Sequence, residues 1–148
     1  MNLNSFSNSI SSTDNSPLMP ILFVGHGSPM NAIEENEFSK EWQALSATLP
    51  RPTAIVSISA HWETKGTFVT LSPTPQTIHD FYGFPQALYQ QRYAAKGDPQ
   101  LAQEIINQLN PAVGGDSQWG LDHGTWSVLK YIYPQADIPV IQISLDHE

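Results

Sequence analysis

The chain reads as an α/β domain, a mostly parallel sheet sandwiched by helices, on three observations. From Met19 onward, short apolar runs rich in β-branched residues alternate with stretches of helical period. The run Thr53–Ser59 is unbroken by polar alternation, as expected of a strand buried on both faces. With 148 residues, 40% hydrophobic and 14% charged, the composition is that of one globular domain rather than of a disordered chain.

The elements follow in order. Residues 1–18 are expected to form a disordered Ser/Asn-rich tail; they carry neither a basic n-region nor an apolar h-region and do not read as a secretory signal. Ile21-Leu22-Phe23-Val24 reads as the first strand, broken at once by Gly25-His26-Gly27-Ser28-Pro29. Phe38, Trp42, Leu45 and Leu49 recur at helical spacing and predict a helix ending before Pro50. The second strand, Thr53–Ser59, leads into Ala60-His61-Trp62, and a third covers Thr67–Leu71 after the Lys65-Gly66 turn. Thr77–Pro85 has no period and reads as a loop. Asp98 as N-cap with Pro99 at the first helical position opens a helix whose buried face is Leu101, Ala102, Ile105, Ile106 and Leu109. Gly114–His123 reads as a second loop, about Gly124–Tyr131 as a helix with Trp126, Leu129 and Tyr133 inward, and Ile138–Ser144 as the last strand.

Charge and composition exclude several functions. Six basic against 14 acidic residues leave a formal net charge of −8, which gives no electrostatic footprint for nucleic acid or for an anionic membrane surface. The apolar runs are too short to span a bilayer. The absence of cysteine excludes disulfides and thiolate ligands, so a metal would need an N/O site; a cytoplasmic location is expected.

The histidines are the residues that point to chemistry. His26 follows the first strand and His61 the second, and in a parallel sheet the carboxyl ends of neighbouring strands open on one crevice. Two neutral imidazoles facing one another suit a divalent metal; two unrelated loop histidines are an equally good reading of the same spacing. His123 follows Asp122 at the mouth of a helix. The simpler reading has Asp122 capping the helix and His123 exposed, and the other makes His123 a substrate-facing imidazole oriented by a carboxylate. His79 lies among Phe81, Tyr82 and Phe84, rings that either pack over the sheet edge or line a pocket for an aromatic ligand. His147 and Glu148 form a terminal pair, which usually frays. Gly25–Pro29 lacks the Walker lysine and the dinucleotide glycine spacing, and Ser28 is not in a nucleophile elbow. The Glu34, Glu35 and Glu37 carboxylates suit the positive end of the following helix.

Five blocks in order, Phe23–Asn31, Leu49–Pro52, Ser59–Trp62, Thr77–Pro85 and Gly120–Trp126, resemble the bacterial 4,5-DOPA extradiol dioxygenases. That family belongs to the class III extradiol ring-opening dioxygenases typified by the catalytic subunit of protocatechuate 4,5-dioxygenase. The resemblance implies a non-haem Fe(II) site, with zinc in its place in some relatives, and a catechol such as DOPA and O2 as small-molecule partners. It implies His26 and His61 as metal ligands, His123 as the catalytic pocket histidine that hydrogen-bonds substrate or oxygen, and His79 as a substrate-binding residue of the aromatic loop. Family members are nearly twice as long and carry a Ser-Gly-Asn-x-x-His-Asn segment, with the histidine taken as base, and a further metal ligand downstream. Residues 19–148 are therefore expected to be the N-terminal portion of such a catalytic domain, with a truncated sheet. The alternatives are a metal-binding remnant without turnover and a zinc-dependent hydrolase. The sequence sets no oligomeric state.

Overall fold

The computed structural model describes residues 18–109 and 112–148. Residues 1–17, most of the expected tail, lie outside the described residues. Among the described residues, four strands form one sheet in the order β1-β4-β2-β3: β1 (Ile55–Thr64), β2 (Thr67–Thr70), β3 (Val113–Asp116) and β4 (Val140–Asp146). β1 pairs parallel with β4 from Ile55 opposite Val140, β2 pairs parallel with β3, and a single antiparallel contact, Val69 opposite Ile143, joins the halves. The α/β, mostly parallel expectation holds.

Helices α1 (Glu37–Leu45) and α4 (His123–Ile132) lie on one face and α3 (Pro99–Leu109) on the other; α2 (Gln86–Tyr89) is a single turn in the connection. α1 starts at Asn36, whose side chain accepts from Ser39 N–H while the Ser39 hydroxyl accepts from Asn36 N–H, a reciprocal cap. α3 starts as the sequence predicts, with Asp98 accepting from Leu101 N–H at 3.0 Å. Under α4, Trp126, Leu129, Leu121, Leu88, Tyr93 and Val140 form one core; Trp42 meets Val128 and Ile132 in a second; Ala102 of α3 closes over Val69 and Ile141 in a third. Trp126 is fully buried and donates from Nε1 to Ile78 O at 2.8 Å, so the largest side chain of the core also ties down the 77–85 loop.

Four expectations need correction. Ile21–Val24 is not a strand: among the described residues it has no pairing partner, and Ile21 and Phe23 are fully exposed at 99% and 103%. Its apolar character expresses a demand for burial that is met only at Val24, which packs against the Trp42 cluster. The helix expected to reach Leu49 ends at Leu45, and Phe38, placed by spacing on the buried face, is 48% exposed because Trp42, Leu45 and Leu49 make the contact with α4 without it. The loop expected over Gly114–His123 contains β3; Gly114 and Gly115 have poor strand propensity, but their missing side chains admit Phe68 and Leu71, which a Cβ would meet at 2.9 and 2.3 Å. Finally, β1 runs past Ser59 to Thr64, so His61 lies within the strand instead of after it.

On the α3 side, the sheet is covered over β2, β3 and β4 but not over β1. A fifth expectation, that this strand is buried on both faces, also fails: Val56 and Ile58 there are 49% and 64% exposed, and β1 is an edge strand. Among the described residues, no helix is long and apolar enough to cross a membrane.

Candidate metal centre

Three segments bring three imidazoles together. The first is the loop after Val24. Gly27 adopts φ +63°, a left-handed conformation that favours glycine, and turns the chain so that Asn31, itself buried, donates from Nδ2 to His26 O at 3.0 Å. Asn36 donates to Asn31 Oδ1 at 2.8 Å, and Ser28 caps the short 3-10 turn Pro29–Ala32. Lys130 of α4 reaches over to donate to Ala32 O at 2.8 Å and to Gln91 Oε1 at 2.6 Å, clamping that turn to the core. Burial lowers the Lys130 ammonium pKa.

The second segment is the irregular end of β1. Between Ile58 and Glu63, β1 advances five residues while β4 advances two, from Ile143 to Leu145. That bulge breaks the alternation, leaving Ala60 and His61 both exposed between buried Ser59 and Trp62. Ser59 holds the bulge: its hydroxyl accepts from His61 N–H at 3.2 Å and donates to Asp122 Oδ1 at 2.8 Å.

The third segment is the start of α4. Asp122, fully buried, caps the helix through Thr125 N–H and also accepts from Ser59 and from Gln142 Nε2. Burial pushes its carboxyl pKa up, against the downward pull of the Ser59 and Gln142 hydrogen bonds. His123 is the first helical residue, so the cap that starts the helix also fixes where its imidazole emerges.

The result is a cluster in which His26, His61 and His123 each offer a ring nitrogen, all within 4.8 Å of one another. The His26 and His61 Nε2 atoms are 2.7 Å apart, and the His61 and His123 ring centroids 4.0 Å. Two such lone pairs repel unless a proton or a cation lies between them. Imidazoles bound at about 2.0–2.1 Å to one metal in adjacent positions have nitrogens about 3 Å apart, so this pair fits a divalent ion, as does the all-nitrogen donor set. Burial, together with the positive character of His123 and His61, lowers the His26 pKa and favours the neutral form that ligates.

His123 Nδ1 lies 2.9 Å from Asp80 Oδ2, while Asp80 Oδ1 accepts from His123 N–H, also at 2.9 Å. Despite this short approach, Nδ1 is buried without a hydrogen-bond partner among the described residues. Although burial pushes the Asp80 pKa up, its close contact with the His123 ring and the hydrogen bond from the His123 backbone hold it below the ordinary carboxylate value. His26 Nδ1 is likewise buried without a partner.

Of the sequence-predicted residues, His26, His61 and His123 converge, so His123 is neither merely exposed nor remote. His79 does not join them: its Nε2 lies 3.1 Å from Gln91 O and 3.2 Å from Arg92 Nη1, and its ring packs against Trp126. The aromatic loop reaches the cluster through Phe81, whose ring meets His123 edge-on at 5.5 Å. His147 and Glu148 are exposed, with Glu148 paired to Lys65 at 2.9 Å. Asp80, Asn31, Ser59 and Gln142 escape the sequence reading. The only signal for Asp80 is its place in the His79-Asp80-Phe81 string. A cavity of about 330 Å³ lined by Leu49, Arg51, Tyr133 and Asp137 contains none of the three histidines, whose cluster opens to solvent through His61.

Residues 18–147 match the family described as the catalytic LigB subunit of aromatic ring-opening dioxygenase. The chain is 58% identical over 130 residues to the 4,5-DOPA dioxygenase extradiol of Escherichia coli (strain K12), covering 86% of this chain and 48% of that protein. It is 44% identical over 131 residues to the 4,5-DOPA dioxygenase extradiol of Beta vulgaris, covering 83% and 48%. The crystal structure of uncharacterized protein JW3007 from Escherichia coli K12 superposes with a TM-score of 0.63 at 46% identity, over 80% of this chain and 44% of that one. The chain thus spans about half the length of the curated relatives it matches.

Proposed function

This chain belongs to the family of catalytic LigB subunits of aromatic ring-opening dioxygenases, and from that premise we propose that it serves the extradiol cleavage of a catechol such as DOPA by O2. The observation that carries the reading is the convergence of the His26 and His61 Nε2 atoms at 2.7 Å with His123 beside them. His26 and His61 hold a divalent metal, Fe(II) for turnover, with Zn(II) able to occupy the same nitrogens. When bound, the iron supplies Lewis acidity and the redox partner that O2 requires. His123 faces the substrate oxygens. Phe81 closes one side of the crevice as an apolar wall, and His79, locked behind it against Trp126, shapes the loop that receives the substrate side chain.

The test is oxygen consumption with L-DOPA after anaerobic loading with Fe(II), followed by the yellow absorbance of the ring-opened product. His26→Ala and His61→Ala are expected to lose metal retention. Metal binding without oxygen uptake on any catechol overturns the assignment, and hydrolysis that proceeds with Zn(II) and without O2 replaces it with a zinc hydrolase. The exposed Val56 and Ile58 face and the unpaired Ile21–Val24 segment favour a second reading. In it, the chain binds metal but turns over only together with further polypeptide that covers these surfaces.

A further inference from the structure

His61 is the most exposed of the three imidazoles, and among the described residues its ring makes no hydrogen bond beyond the short Nε2 approach to His26. Ladder pairing does not hold its backbone either, because the register gives none of Ser59, Ala60, His61 and Trp62 a partner on β4. A backbone N–H outside the ladder needs another acceptor, and for His61 it is the Ser59 hydroxyl at 3.2 Å. That hydroxyl has one proton to give, and it goes to Asp122 Oδ1 at 2.8 Å. The same Oδ1 accepts Thr125 N–H at 3.2 Å, the bond that caps α4 and places His123. One oxygen therefore receives both the strand that carries His61 and the helix that begins with His123. It is braced from behind: Gln142 of β4 donates from Nε2 to Asp122 Oδ2, and Gln142 N–H donates to Thr70 Oγ1 of β2 at 2.9 Å. Ser59, Asp122, Gln142 and Thr70 are all buried, so water does not compete for these bonds.

We infer that Ser59 is the positioning residue of His61: its hydroxyl registers the bulge of β1 on the Asp122 cap of α4, and so fixes where the exposed imidazole stands before any ion arrives. This deepens the function proposed above and rests on it for the part His61 plays as a metal ligand. A donor held in place by its backbone binds without first being gathered from other conformations, so the loss of its support appears as lost affinity. Ser57 provides the comparison. Two residues earlier on β1, its hydroxyl lies 2.9 Å from the Thr125 hydroxyl, so it too joins β1 to α4, but it makes no hydrogen bond to Asp122 or to His61. Removing either hydroxyl loosens the same pair of elements; only Ser59 also holds the His61 backbone.

The experiment compares Ser59→Ala and Ser57→Ala with the unsubstituted protein by amide hydrogen exchange without metal and by calorimetric titration with Zn(II), with thermal unfolding recorded for each. Both variants are expected to melt at lower temperature. Only in Ser59→Ala is the His61 amide expected to exchange faster, by about tenfold or more, and only there is Zn(II) affinity expected to fall, by about 10- to 100-fold. The visible absorption of the Co(II)-loaded proteins, which reports ligand geometry, is expected to change in Ser59→Ala and to stay as in the parent in Ser57→Ala. A His61 amide that exchanges freely in the unsubstituted protein overturns the inference before any substitution is made. Unchanged His61 exchange or parent-like Zn(II) affinity in Ser59→Ala, or an equal loss of affinity in Ser57→Ala, also overturns it. An unsubstituted protein that binds no Zn(II) overturns the metal reading instead, while the exchange data still decide whether Ser59 holds His61.

Discussion

Gly124→Ala tests whether the metal pair depends on how closely α4 approaches β1. A Cβ at Gly124 would lie 2.7 Å from Ser59 Oγ, 2.8 Å from His61 Cδ2 and 3.2 Å from Asp122 Oδ1. Carbon atoms settle at about 3.5–4.0 Å, so the His61 ring must retreat by roughly 0.7 Å or more. A movement of that size in the direction away from α4 disturbs the 2.7 Å approach of its Nε2 to that of His26 and loosens the Ser59 link to Asp122. Stability changes less than geometry. Alanine in a helix gains up to about 1 kcal/mol over glycine, and overpacking costs about 1–3 kcal/mol, so the net loss is roughly 0–2 kcal/mol. Displacing a ligand from its support typically lowers metal affinity about 10- to 100-fold. Calorimetric titration with Zn(II), beside thermal unfolding of the same sample, separates the two effects. Gly25→Ala is the control: it adjoins His26, yet a Cβ there meets nothing within 4 Å, and its affinity is expected to stay at the parent value. Parent-like Zn(II) affinity in Gly124→Ala would refute the idea that this close approach sets the position of His61.

Two further outcomes are expected. Val56→Thr with Ile58→Thr, on the uncovered face of β1, should lower binding of an apolar dye and self-association while leaving Zn(II) affinity unchanged; undiminished dye binding would place the exposed apolar surface elsewhere. Burial raises the Tyr93 pKa from 10.0 to about 12, and its hydroxyl donates to Tyr133 O at 3.0 Å. Because the folded pKa is the higher one, this contribution is complete below pH 10 and is lost as pH rises toward 12, by roughly 3 kcal/mol in total. Tyr93→Phe should cost about 1 kcal/mol near neutrality and flatten the alkaline decline in denaturant-measured stability; an equally steep decline would exclude Tyr93 as its source.

What the sequence made legible is what local chemistry determines. The Asp98-Pro99 start of α3 was readable because a cap and a fixed φ act within one turn. β3 was not, because Val113-Gly114-Gly115-Asp116 becomes a strand through the room it leaves for Phe68 and Leu71, a property of the partners and not of the segment. Ile21–Val24 shows the converse. Four consecutive apolar side chains record a requirement for burial, yet only Val24 meets it, against the Trp42 cluster, and the free edge of β1 is left unpaired by this segment. Periodicity reports which side chains should leave water and is silent on what they should meet.

The same distinction governs the site. His26 and His61 converge as the sequence reading proposed but not by the route it gave: Ile21–Val24 is no strand, and His61 lies inside β1, aimed by a bulge that has no mark in Ser59-Ala60-His61-Trp62. His123 was legible only as a residue behind a cap, since nothing local says that the α4 terminus faces those two histidines. Asp80 was the least legible, 43 residues from the group it holds and set in a loop without period. Its partner is chosen by the parallel bridge of Thr77 to Leu121, which lays the loop along the residues entering α4. Residues that could be ligands announce themselves by chemical type. Those that fix the backbone behind a ligand are ordinary loop aspartates and serines until the fold brings them into contact, so the sequence reading found the imidazoles and missed Asp80 and Ser59, which accept the backbone N–H of His123 and His61.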